Sequence, residues 1–135
     1  MALKIICVSG PGYSGKSGII REFTVRHLRY EKAKGDVLGI FQMPLRYYAV
    51  GVNGIGDNPG QVREGIDFLA RYRGLRVMIV ATRSWGKTKQ VVEKFAKNAH
   101  ATLHFVETEK LTAPREIEID AATDAKVSEI MRLMP

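Results

Sequence analysis

Eight residues near the start of the chain, Gly10-Pro11-Gly12-Tyr13-Ser14-Gly15-Lys16-Ser17, restrict the fold more than any other stretch. They separate the apolar run Ile5-Ile6-Cys7-Val8 from a segment with helical spacing, so one short loop must turn a strand into a helix. The glycines at 10, 12 and 15 open backbone conformations closed to other residues and let several amide NH groups converge on one anion. The following helix adds the positive end of its dipole. Lys16 is then placed to reach the outer phosphates of a nucleotide, and the Ser17 hydroxyl to ligate a magnesium ion held with them. The stretch has the chemistry of a phosphate cradle, with residues Gly10 to Ser17 as its binding set.

Apolar runs and helical stripes alternate along the remaining chain. Leu3 to Ser9 predicts a strand buried on both faces, and Ile19, Ile20, Phe23, His27 and Leu28 predict a helix from Lys16 to about Tyr30. Lys34-Gly35-Asp36 breaks that pattern before a second buried strand, Val37 to Phe41, and a third from Tyr47 to Val52. Asn53 to Gly60 is a glycine-rich loop, costly in entropy unless its backbone serves a ligand. Val62, Ile66, Leu69 and Ala70 mark the second helix, Leu75 to Ala81 the fourth strand, and Val91, Val92, Phe95 and Ala96 the third helix. Thr102 to Val106 predicts a fifth strand. Ile117 and Ile119, alternating with Glu116, Glu118 and Asp120, predict an edge strand or extended arm before a terminal amphipathic helix carrying Val127, Ile130, Met131 and Met134.

Such alternation predicts an α/β fold: one domain over residues 1–135, a three-layer sandwich with a mostly parallel five-stranded sheet, and residues 108–135 as an acidic arm and helix. Ligands of these sheets sit beyond the carboxyl ends of the strands, which predicts the Gly10, Gln42, Asn53–Asp57 and Thr82–Lys87 loops along one edge.

Charge is unevenly spread. Residues 1–100 carry 17 Lys and Arg against 7 Asp and Glu, whereas residues 101–135 carry 4 against 7. A basic body suits an anionic partner: a nucleotide, a small phosphorylated or nucleoside substrate, or a nucleic acid. The single cysteine, Cys7, excludes an internal disulfide and falls in an apolar strand, so it is expected as a buried reduced thiol. The N-terminal apolar segment is too short for a signal peptide or membrane span. A cytoplasmic location without membrane contact is the expectation.

A metal held with phosphates needs a further acid, and Asp57, in the glycine-rich loop, is the first choice. Glu107 ranks second because it follows an apolar strand late in the chain, and Asp36 is set aside as lying at the start of a strand, hence at the wrong end of the sheet. A second stretch, Ala81-Thr82-Arg83-Ser84-Trp85-Gly86-Lys87-Thr88, imitates the cradle, but Arg83 and Trp85 replace small residues, so it is expected as a strand-to-helix loop. Arg83 or Lys87 would instead reach a transferred phosphoryl group or a second substrate's phosphate. Gln42, Arg46, Tyr47 and Tyr48 are candidates for a base or phosphate pocket. His27 and His104 are read as packing residues.

Residues 10–17 fit the G-x-x-x-x-G-K-[ST] pattern, and through it the chain resembles the P-loop NTPase superfamily. The guanine signature Asn-Lys-x-Asp of the GTPases is absent, and an arginine-rich lid is not evident. Compact size and loop placement are most similar to small nucleoside or nucleotide kinases. The resemblance implies the P-loop fold, ATP or another nucleoside triphosphate with Mg2+ as cofactors, and transfer or hydrolysis of the terminal phosphate. Lys16, Asp57 and Arg83 would be the catalytic set, and Ser17 with Asp57 the metal set. The alternative is a nucleotide-dependent binding module for a nucleic acid or protein.

Overall fold

The computed structural model describes residues 2–12, 14–112 and 115–135. Its elements run β1 (Lys4–Ser9), α1 (Lys16–Leu28), β2 (Leu38–Gln42), β3 (Ala49–Asn53), α2 (Pro59–Ala70), β4 (Leu75–Thr82), α3 (Lys87–Asn98), β5 (Thr102–Glu107) and α4 (Glu116–Leu133). All five strands join one sheet in the order β2-β3-β4-β1-β5. β1 lies between β4 and β5, parallel to both, and β3 is parallel to β4.

Successive strand residues point to opposite faces, and both faces are apolar here, so helices must cover both. Ile6, Val8, Val50, Val52 and Ile79 pack with Ile19, Ile20 and Phe23 of α1 and Val127 and Ile130 of α4. Ile5, Cys7, Met78 and Val80 pack with Val62, Ile66 and Leu69 of α2 and Val92 and Ala96 of α3. The expected α/β architecture with a mostly parallel five-stranded sheet between helices is therefore present.

One strand departs from expectation. β2 pairs antiparallel with β3, from Leu38 opposite Asn53 to Gln42 opposite Ala49. Only Met43 to Tyr48 separates the two strands. A parallel return needs a crossover of about a dozen residues or more, so this short link can only close a hairpin, as the Met43 amide does by bonding the Tyr48 carbonyl at 2.8 Å. β2 is a half-exposed edge strand instead of a buried one. Reversal moves its two ends. Gln42 lies at the edge opposite the cradle, and Asp36 precedes β2 on the cradle's own edge, so both assignments made from the sequence are corrected. Arg46 and Tyr48 leave the pocket with Gln42: each donates to the Pro135 carbonyl, at 3.1 and 3.4 Å, and Tyr47 is 92% exposed at the hairpin tip.

The stretch expected as an edge strand, 116–120, is the first turn of α4. Glu116 and Glu118 favour the positive end of a helix and are poor strand formers, and Arg115 donates to Glu118 at 2.8 Å across that turn. Val127 and Ile130 then bury the helix against the sheet. α4 shares this face with α1 and ends where Lys4 Nζ donates to the Leu133 carbonyl at 2.8 Å. Among the described residues, no helix is long and apolar enough to cross a membrane.

Cys7 lies wholly within the second core, and burial pushes its thiol up to about 11 despite the Thr82 hydroxyl 3.2 Å away. A thiolate-specific reagent at pH 8 is expected to leave the folded protein unlabelled and to titrate one thiol per chain after unfolding; rapid labelling of the native chain would contradict this packing.

Candidate functional site

The loop between β1 and α1 is tied down on both flanks. The Gly10 amide donates to the Thr82 carbonyl at the end of β4 (3.1 Å), and beyond β5 the Thr108 amide donates to the Ser9 carbonyl (2.8 Å). The Ser14 and Thr108 hydroxyls are bonded at 2.6 Å. Glycine is required at position 10 because a Cβ there would overlap the Thr108 hydroxyl.

Gly15 stands at the N-cap of α1 with φ of 86°, a left-handed conformation that glycine adopts without strain. It offers no side chain to the first-turn amides, and no acidic residue lies in that turn. α2 differs: its Asn58 side chain accepts from the Gln61 amide. The start of α1 thus presents backbone donors and the positive helix end to a cavity of about 450 Å³ lined by Gly12, Ser14 to Gly18, Arg21, Asp57 and Arg83.

Lys16 forms the floor of this cavity. Its side chain is almost wholly buried, and Nζ donates to the Gly10 carbonyl at 2.8 Å and the Thr82 carbonyl at 3.1 Å. Burial lowers its pKa below the usual lysine range, the Asp57 carboxylate 3.6 Å away opposes that shift, and Arg83 adds to it. Asp57 also lies 3.3 Å from Arg83 Nε. One carboxylate, 65% exposed, therefore sits against two cations, where an anionic ligand would be drawn.

Of the residues expected from the sequence, Lys16, Ser17, Asp57 and Arg83 meet in this one cavity with Gly12, Ser14 and Gly15. Gly10 and Pro11 do not line it, and Tyr13 lies outside the described residues. Glu107 ends β5 as expected but is exposed and does not line the cavity. The look-alike loop 81–88 is closed on itself: the Thr88 hydroxyl accepts from the Arg83 amide at 3.0 Å, and Lys89 donates to the Ser84 carbonyl.

Two participants escape the motif. Arg21 reaches the cavity because it follows Ser17 by four residues and so shares its helix face, a spacing readable in the sequence. Asp36 accepts from the Ser17 hydroxyl at 2.7 Å, a contact that only the reversal of β2 creates.

A second cavity, of about 370 Å³, adjoins the first through Ser14 and Gly15. Ile19, Leu111, Ile119 and Ala122 give it an apolar wall, and Thr108, Glu109, Thr123 and Lys126 place polar groups around it. Scans against protein-family models, curated proteins and solved structures return no match to the chain.

Asp57 competes with any anion for Lys16 and Arg83. Asp57→Asn is expected to strengthen binding of tripolyphosphate in the presence of EDTA by roughly two- to fivefold, the scale of an exposed ion pair. Calorimetric titration at low and high salt checks this, and weaker binding by the variant would show that the carboxylate does not compete.

Proposed function

We propose that the chain is a magnesium-dependent P-loop protein that binds a nucleoside triphosphate and transfers or hydrolyses its terminal phosphate. The observation that carries the reading is the cavity at the start of α1, which uncapped amides, the buried Lys16, Arg21 and Arg83 line together. Its donor set suits polyphosphate.

In this reading the β and γ phosphates would meet the backbone of residues 14–18, and Lys16 would exchange its carbonyl partners for phosphate oxygens. The amides and Lys16 stabilise the charge that spreads over the terminal phosphoryl oxygens as the bond to the leaving group lengthens. Arg83, on the exit of β4, neutralises the same group from the far side. Asp57 is then displaced from both cations and is free to orient the attacking hydroxyl or water. Magnesium, when bound with the phosphates, would offset further oxygen charge, and the Ser17 hydroxyl is the group in the loop suited to hold it.

The apolar cavity beside Ser14 suits the nucleobase and ribose. A purine needs flat apolar contact and a few edge-directed polar groups, and the walls from α1 and α4 supply both. ATP, or another nucleoside triphosphate, is the ligand class; a nucleoside, a nucleotide or water is the acceptor class.

A nucleotide-dependent binding module is favoured by different features. β3 ends in Asn53, whose amide is engaged by the Val62 carbonyl and the Ile55 amide and carries no charge for catalysis. Trp85 is 78% exposed beside Arg83 and Lys87, an aromatic and basic surface of the kind that stacks single-stranded bases.

Turnover of ATP and GTP, measured with nucleosides, nucleotides or DNA, separates the readings. Phosphate appearing on a nucleoside or nucleotide marks a kinase, and ATP-dependent DNA binding without turnover marks the module. Arg83→Ala is expected to lower turnover by roughly 100-fold, and Lys16→Ala to abolish tight triphosphate binding. Failure of the wild type to bind any triphosphate would end both readings. Ala122→Trp, which fills the second cavity, is expected to weaken ATP binding at least about tenfold while tripolyphosphate binding is unchanged; equal effects on both ligands would remove the base from that cavity.

A further inference from the structure

We propose that Asp36 is the carboxylate that, together with Ser17, holds the magnesium ion of the bound nucleoside triphosphate. The assignment rests on the nucleotide reading above and names the part of that site which its motif leaves unspecified.

Topology brings Asp36 there. Because β2 runs against β3, the residues just before Leu38 lie level with the carboxyl ends of β3, β4, β1 and β5, and the Gly54 amide extends the pairing by bonding the Val37 carbonyl at 2.7 Å. The half-buried Asp36 then meets the first turn of α1, where Ser17 Oγ donates to Oδ1 at 2.7 Å. A hydroxyl that gives its proton to a carboxylate keeps its lone pairs for a cation. Ser17 and Asp36 together therefore present hard oxygen donors beside the phosphate cavity, the donor type that magnesium prefers.

Nearby cations leave this carboxylate alone. Arg21 donates to the Gly35 carbonyl at 2.8 Å and Lys32 to the Asp36 carbonyl at 2.7 Å, so both brace the backbone of the turn. Among the described residues no ion pair involves Asp36.

The other acids are placed differently. Asp57 is paired with Lys16 and Arg83, whereas the Ser17 hydroxyl is bonded to Asp36. Glu107 is exposed and does not line the cavity. β4, beside β1, ends in Thr82, and β3, beyond it, ends in Asn53; neither residue carries a charge.

The test is calorimetric titration of the full chain with ATP, first in EDTA and then across a series of magnesium concentrations. The proteins compared are wild type, Asp36→Asn, Asp36→Glu, Asp57→Asn and Lys16→Ala, with manganese substituted for magnesium in parallel so that electron paramagnetic resonance reports the ion directly. Asparagine still accepts from Ser17, so thermal melting of Asp36→Asn should match wild type. The expected result is that Asp36→Asn binds ATP in EDTA at least as well as wild type but needs about 10- to 100-fold more magnesium to reach the tight complex. Asp36→Glu should recover part of that loss, and Asp57→Asn should keep the wild-type magnesium dependence. A wild-type magnesium dependence in Asp36→Asn, or its loss in Asp57→Asn, overturns the assignment while leaving nucleotide binding intact. Absence of ATP binding by the wild type overturns the nucleotide reading and this assignment with it.

Discussion

The Lys16 ammonium is where the carboxyl edge of the sheet is gathered. A buried cation must find oxygen partners, and here it takes the carbonyls of Gly10 and Thr82, one at the end of β1 and one at the end of β4. That is possible only because β4 lies beside β1 in the sheet. The same adjacency delivers Arg83, the residue after Thr82, to the mouth of the loop, and places Asp57 between the two cations. Moving β4 elsewhere in the sheet would leave the ammonium with half its partners and the cavity without its guanidinium.

Much of this was legible in the residues. The uninterrupted apolar runs at 5–8 and 77–81 specify strands covered on both faces, and the stripes of Ile19, Phe23, Val62 and Ile66 specify the helices that cover them. The loop at 10–17 announced itself by glycine positions, and its link to residues 57 and 83 followed from the rule that such sheets collect their loops at one edge. What stayed hidden was direction. Hydrophobic pattern does not say whether a strand runs up or down, and treating β2 as one more parallel strand put Gln42 at the site and removed Asp36 from it. The information was in a length: six residues between β2 and β3 are too few to cross the sheet. The alternation at 116–120 misled for a related reason, because five residues are too short a window to separate period 2 from a helical turn rich in acids.

The contrast between the two glycine-lysine loops shows how little the short pattern says alone. Both follow a strand and open a helix. In one, the hydroxyl after the lysine is turned outward to Asp36 and the first-turn amides face a cavity. In the other, Thr88 is spent on the Arg83 amide within its own loop, and Trp85 stands where a small residue would let a ligand approach. The difference is where each loop's own polar groups are satisfied.

α4 is unevenly anchored. Its second half is held by Val127 and Ile130 in the core and by Lys4 at its end, whereas Ile117 and Ile119 are exposed and Ala122 and Thr123 look onto the cavity beside Ser14. Packing therefore grades along one helix, and so must the free energy of local opening. The amides of the first turns should exchange with solvent faster than those near Ile130, and a ligand seated against Ala122 would slow the exchange of the first turns, making the helix a built-in reporter of occupancy.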